Sequence, residues 1–277
     1  MYQKHVIHKL LQLAFEEDVG TGDVTTQAVL TGDEVGKASA VAKADVVVAG
    51  MDVFKEAFLF MDQTIQFIGH CEDGLGVQKG NILAEISGNL SSILTAERVA
   101  LNLFQRMCGI ATLTRRYVDE VKETGAKILD TRKTAPGLRY FDKYAVRIGG
   151  GTNHRFGLYD GILIKDNHIE AAGGISYALD RVYRHLPHTL KVEIEVKNLQ
   201  ELEEALIAGA DVIMLDNMTV EHMKKAVEIV NGRVPLEASG NVTLTNVKQI
   251  AETGVDFISV GALTHSVPAS DISLKIE

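Results

Sequence analysis

The chain has 277 residues, 46% hydrophobic and 23% charged, with a formal net charge of −9 and a pI near 5.5. That length suffices for one large α/β barrel, or for a barrel with a smaller companion domain. The acidic balance argues against a nucleic-acid binder, which spreads basic charge over a broad face, and no apolar run approaches the roughly 20 residues of a membrane span.

Two cysteines, Cys71 and Cys108, lack CxxC spacing. They suit a reducing cytoplasm and suggest neither a disulfide frame nor a zinc site. The first residues have no apolar core or small-residue cleavage site of the signal-peptide kind, so a cytoplasmic location is expected.

Val6, Ile7, Leu10, Leu11 and Leu13 share one face of a helix predicted over 4–17, which Gly20-Thr21-Gly22-Asp23 breaks. Short β-type runs follow over 38–42, 46–48, 65–68 and 82–86, with a helical insert over 51–60, as in a small α+β domain. A long helical stretch over 94–123 is expected to be interrupted at Gly109. Beyond it, strand-like runs over 127–129, 161–164, 192–196, 211–215, 234–237 and 257–260 alternate with helical stretches over 175–185, 199–208, 220–231 and 244–253. That alternation is the signature of a parallel α/β sheet closed or nearly closed into a barrel. Gly209 and Gly254 sit where helix C-caps belong, just before the next strand.

Charge is unevenly distributed. From Thr131 to Tyr159 there are six cations and one acid, Asp142, so this window is net positive in an otherwise acidic chain. Positive charge isolated in this way suits a small, strongly anionic ligand.

The strand ends are polar. The first run ends in Asp130-Thr131-Arg132 and the second in Lys165-Asp166-Asn167. The third carries Glu193 and Glu195, the fourth ends in Asp216-Asn217, and the fifth in Glu237-Ala238-Ser239-Gly240-Asn241. In (β/α) barrels the carboxyl ends of the strands surround the active site, and the final two loops often bind phosphate. Ser239-Gly240-Asn241 and Ser259-Val260-Gly261-Ala262 are the candidates, with backbone N–H groups at helix N-termini.

Five motifs together carry a resemblance: Thr95–Asn102, Gly109–Thr112, Asp130-Thr131-Arg132-Lys133-Thr134, Gly149–Arg155 and Ile164–Ile169. The chain resembles the quinolinate phosphoribosyltransferase family from Glu17 to Lys275. The resemblance implies an incomplete (β/α) barrel of about seven strands with an N-terminal α+β sandwich-like domain. The expected boundaries are 1–110 for the first domain and 111–265 for the barrel, with the tail 266–277 packing on the first. It also implies a magnesium-dependent reaction, in which quinolinate and phosphoribosyl pyrophosphate give nicotinate mononucleotide, pyrophosphate and carbon dioxide, a step in making NAD.

By the same resemblance Arg132, His154, Arg155 and Lys165 hold the quinolinate carboxylates. Arg98 completes the neighbouring site of a homodimer, Lys133 sits near the pyrophosphate, and Glu195 and Asp216 serve the ribose and Mg2+. Arginine suits carboxylates because its planar fork binds them bidentately. Ser239, Gly240, Asn241, Ser259 and Gly261 are the phosphate residues. Arg139 is a neighbour of the site, Arg147 is expected to pair with Asp142 or to solvate a helix, and His168 is expected to cap its loop backbone, with a role in the site as the alternative. Glu193, one strand repeat before Glu195, is expected a layer deeper beside a cation. The Gly149–Gly151 loop is a candidate lid. Family members commonly have Ser-Gly-Gly where this chain has Ser239-Gly240-Asn241.

Other readings are a Schiff-base barrel enzyme using Lys165, a relative associated with molybdate-transport gene clusters, and a small-molecule sensor on the same fold. Arginines suit a dicarboxylate better than a neutral carbonyl, which disfavours the first. Retention of the whole set of charged residues disfavours the sensor.

Overall fold

The computed structural model describes residues 4–185 and 187–277. Contacts divide the described residues into two units, one within 4–113, 136–149 and 267–277, the other within 114–135, 150–185 and 187–266. No helix among the described residues is long and apolar enough to cross a membrane.

The first unit opens with helix α1 (Lys4–Asp18), which buries Ile7, Leu11 and Phe15, and a short α2 (Val24–Val29). Strands β1 (Val35–Ala42) and β2 (Val46–Val47) precede helix α3 (Met51–Met61). Then come β3 (Gln66–Gly69), β4 (Gly76–Val77) and β5 (Ile82–Asn89). Helix α4 (Leu90–Val121) follows without a break. The expected interruption at Gly109 does not occur. A Cβ at Gly109 would overlap the carbonyl oxygen of Pro268, so this glycine admits the returning C-terminal segment instead of ending the helix. Phe54 of α3 stacks on Phe104 of α4 with ring centroids 4.6 Å apart, in a core that fully buries Phe54, Phe58 and Leu83.

The second unit is built around six parallel strands. These are β6 (Lys127–Leu129) and, after helix α5 (Arg139–Ile148), β7 (Ile162–Ile164). Helices α6 (Asp166–Ala172) and α7 (Ile175–His185) lead to β8 (Val192–Val196). Next are α8 (Leu199–Ile207), β9 (Val212–Asp216), α9 (Val220–Val230) and β10 (Leu236–Ser239). The unit ends with α10 (Val247–Ala251), β11 (Phe257–Ser259) and the single-turn α11 (Ala262–His265). The order across the sheet is β6-β11-β10-β9-β8-β7. Outside β6, Thr152 adds one parallel bridge to Leu129, so the seventh position of the incomplete barrel is a single residue following a glycine triplet.

Helix α5 falls inside the stretch 111–265 yet belongs to the first unit. Asp142 is fully buried and takes two bonds from Arg106, both at 2.8 Å. Tyr144 donates to Asp73 at 2.8 Å, and Arg147 lies over the Tyr144 ring. Arg106 thus pairs with Asp142, where Arg147 was one expected partner, and Arg147 lies over a ring instead. The tail returns as β12 (Ile272–Ile276), antiparallel to β1, in a sheet ordered β12-β1-β5-β3. Gly209 and Gly254 take φ of +85° and +94°, the left-handed caps expected of them.

Candidate active site

Side chains alternate between the two faces of a strand, so each barrel strand sends every second residue inward. Leu163 and Lys165, Glu195, Met214 and Asp216, Glu237 and Ser239, and Ser259 follow this rule. With Thr131, Arg132, Lys133, His154 and Arg155 they line one cavity of about 460 Å³ in the second unit. The outward set, including Ile194, Val196, Ile213, Leu215 and Ala238, is wholly buried.

The curl that encloses this space is visible in one contact. His154, just past the β6 edge, places Nε2 2.9 Å from Glu193 Oε2 on β8 and 3.7 Å from Glu237 Oε2 on β10. Asp130 sets up that contact. It is fully buried, and its carboxylate accepts the His154 backbone N–H at 2.8 Å and the Asn153 amide at 2.6 Å. Glu193 thus lies deeper than Glu195, beside the imidazole.

Charge is sorted around the cavity. The cations come from the two edges of the sheet: Arg132, Lys133 and Arg155 beyond β6, and Lys165 at the end of β7. The carboxylates Glu195, Asp216 and Glu237 come from β8, β9 and β10. Arg155 donates through Nη1 to the Gly161 carbonyl at 2.9 Å, while its buried Nε meets no acceptor. Its guanidinium is held below the usual arginine value, by burial first and by Arg132 second. Two guanidiniums crowded in this way favour an anion between them. Glu237 is nearly inaccessible at 1% exposure. Burial first, then the charge of Glu193, pushes its carboxyl well above the usual carboxylate range.

Lys165 Nζ lies 2.7 Å from Glu195 Oε1. The Lys165 backbone N–H donates to His168 Nδ1 at 2.9 Å, the capping role expected of that histidine. Lys133 is anchored by its carbonyl, which accepts from Thr264 Oγ1 at 2.7 Å. Its side chain runs against Gly261, where a Cβ would come within 3.3 Å of Lys133 Cδ and 3.0 Å of the His265 ring. Gly261 is there for close packing.

Of the two helix N-termini expected behind the phosphate loops, the one after Ser259-Val260-Gly261 is present, with Gly261 as the N-cap of α11, and the one directly after Ser239-Gly240-Asn241 is not. Helix α10 starts only at Val247, because Thr243 N–H bonds Asn246 Oδ1 at 2.8 Å and holds the chain in a turn; α11 is a single turn. Ser239 and Ser259 line the cavity, while Gly240, Asn241 and Gly261 are not among its lining residues. Arg98 and Arg139 belong to the first unit, and the cavity lining comes wholly from the second. Glu237 was expected at the strand ends, whereas Leu163 and Met214 were not expected as lining residues. The period-two pattern was the available signal for both.

Two family models match the chain: "Quinolinate phosphoribosyl transferase, N-terminal domain" over residues 23–108 and "Quinolinate phosphoribosyl transferase, C-terminal domain" over residues 110–275. A relative from Arabidopsis thaliana, named nicotinate-nucleotide pyrophosphorylase [carboxylating], chloroplastic, is 48% identical over 287 residues, covering 97% of this chain and 82% of its own. One from Nicotiana glauca, named quinolinate phosphoribosyltransferase [decarboxylating] 2, mitochondrial, is 46% identical over 290 residues, covering 98% and 82%. The solved structure of the nicotinate-nucleotide pyrophosphorylase from Francisella tularensis superposes with a TM-score of 0.95 at 42% identity, covering 100% of this chain and 98% of that one. Sequence, domain order and fold agree along almost the entire length, and the chain belongs to the quinolinate phosphoribosyl transferase family.

Proposed function

We propose that this protein transfers the phosphoribosyl group of phosphoribosyl pyrophosphate to quinolinate with decarboxylation, giving nicotinate mononucleotide, pyrophosphate and carbon dioxide for NAD synthesis. The observation that carries this reading is the sorting of charge within one cavity, with cations at the sheet edges and carboxylates on β8 to β10. A planar dicarboxylate fits the cationic side, where Arg132, Arg155 and Lys165 present donors. The sugar fits the acidic side, with its 5-phosphate at Ser239, Gly240, Asn241, Ser259 and Gly261.

Departure of pyrophosphate leaves positive charge on ribose C1 and the ring oxygen, which Glu195 and Asp216 stabilise electrostatically. Lys133 neutralises the departing anion. The quinolinate nitrogen forms its bond to C1 as the C1–oxygen bond breaks. The quaternised ring then accepts the electron pair released when the adjacent carboxylate leaves as carbon dioxide, and a proton takes its place on the ring carbon.

Glu195 and Asp216 supply hard oxygen donors from neighbouring strands, a donor set that fits Mg2+ shared with substrate phosphates. When bound, the ion would neutralise phosphate charge. We further infer a homodimer in which Arg98, with its side chain 58% exposed, reaches the neighbouring site. Arg139 is a less direct participant. A cytoplasmic setting accords with both cysteines being free thiols.

Incubating the protein with quinolinate, phosphoribosyl pyrophosphate and magnesium should consume quinolinate with stoichiometric carbon dioxide. Nicotinate should not substitute. Equal turnover of nicotinate would show that the second carboxylate is not read, and would overturn the assignment of the arginines.

A further inference from the structure

We propose that Asn217 and Asn241 form a side-chain clamp that fixes the Asp216 carboxylate against the turn Ser239–Asn241, which makes both asparagines positioning residues for the sugar-phosphate half of the site. The proposal rests on the reading of that half as the phosphoribosyl site.

The geometry is a relay. Asn217 Nδ2 donates to Asp216 Oδ2 at 3.0 Å, and Asn241 Nδ2 donates to Asn217 Oδ1 at 3.1 Å. The Asn217 backbone N–H donates to the Ser239 carbonyl at 2.8 Å. The far end is tied down as well, since the Asn241 carbonyl accepts from Asn246 Nδ2 at 3.0 Å. Asparagine is needed at position 217 because one amide must donate to a carboxylate and accept from another amide. Aspartate there would set a second negative charge beside Asp216.

Backbone conformation points the same way. Asn217 and Asn241 both adopt left-handed φ, +53° and +51°, which asparagine tolerates better than most residues. Between them Gly240 takes φ +99°, and a Cβ there would overlap the Asn217 amide oxygen. The turn therefore wraps directly over the Asn217 side chain. One carboxylate oxygen of Asp216 is held by the clamp, so the carboxylate plane is set by the same turn that would receive the phosphate.

Glycine substitutions test this without backbone strain, because glycine accepts positive φ. Asn217→Gly should lower kcat/KM for phosphoribosyl pyrophosphate by about tenfold, as expected for a lost hydrogen bond to a charged acceptor, with the quinolinate KM changed by no more than about twofold. Asn241→Gly should move the same parameter in the same direction by about threefold, its bond being between neutral groups. The double variant should be no worse than Asn217→Gly alone, and Asn217→Asp should be worse than Asn217→Gly. Additive losses in the double variant, or single variants indistinguishable from wild type, would overturn the clamp. The same cycle is run on urea unfolding, which reads the link without substrate; zero coupling there also overturns it. A wild-type protein that turns over no quinolinate is a different failure: it removes the phosphoribosyl reading, and with it the positioning role.

Discussion

The Arg155 backbone N–H donates to Nδ1 of His154 at 2.7 Å, and the same ring presents Nε2 to Glu193 at 2.9 Å. Those partners assign the proton to Nε2. The imidazole thus ties the Arg155 backbone to the buried end of β8, and its effect on a bound dicarboxylate runs largely through the position of Arg155. His154→Ala is expected to raise the quinolinate KM by about tenfold, the scale of one hydrogen bond in a charged network, and to leave the KM for phosphoribosyl pyrophosphate within about twofold. Initial-rate kinetics with each substrate varied in turn will show whether the loss falls on quinolinate.

Glu237 gives a pH signature. In the unfolded chain its carboxyl ionises near the ordinary value of about 4.3, whereas in the folded protein burial and Glu193 hold it well above that. Between the two values the folded state keeps a proton that the unfolded state releases, so stability falls as pH rises through that window. The other groups facing this carboxyl are Glu195, the Ser259 hydroxyl and the His154 ring. Glu237→Gln removes the titration. Its melting temperature should exceed that of wild type by a margin that widens as pH rises above about 5. Parallel melting curves across that range would count against this account.

Gly240 faces both a backbone and a packing constraint. Alanine at φ +99° is strained, and its Cβ would displace the Asn217 side chain. Gly240→Ala should cost about 1–3 kcal/mol of stability. It should also weaken phosphoribosyl pyrophosphate more than quinolinate, as measured by urea denaturation and calorimetric titration.

Asp142 is wholly buried and doubly bonded to Arg106, whose side chain is 23% exposed. Replacing the guanidinium by a chain of similar length removes two charge-assisted bonds from a buried carboxylate, so Arg106→Met should destabilise the protein by about 3 kcal/mol. The double variant Arg106→Met with Asp142→Leu should recover part of that loss. Chemical denaturation of the single and double variants is the check.

Local pattern exposed much of this molecule. The strands over 127–129 and 192–196 fall where their apolar runs placed them, because a buried parallel strand is a short continuous apolar segment. Glu195 and Asp216 were readable as cavity residues because polar groups that close an apolar run have few other places to go. The run read as 234–237 lies at 236–239. That offset put Glu237 at the mouth, whereas its place is beneath Ser239. Gly109 was misread for another reason: a glycine in a helix looks like a break, and its contact at Pro268 lies far along the chain. Nonlocal pairing likewise hid the partner of Asp142, which is Arg106 on another helix, and the ring geometry of His154. Pattern reveals which face a residue occupies, while the identity of its neighbour depends on how distant segments meet.

The pairing of β12 with β1 also bears on synthesis. Residues 35–42 emerge from the ribosome before the whole barrel, and the strand that covers one of their edges emerges after it. Throughout translation of the barrel, β1 must stand with that edge exposed, a template for intermolecular strand addition. Completion of the amino-terminal sheet therefore waits on synthesis of the barrel, which has all of its own strands before the segment that precedes it has its last.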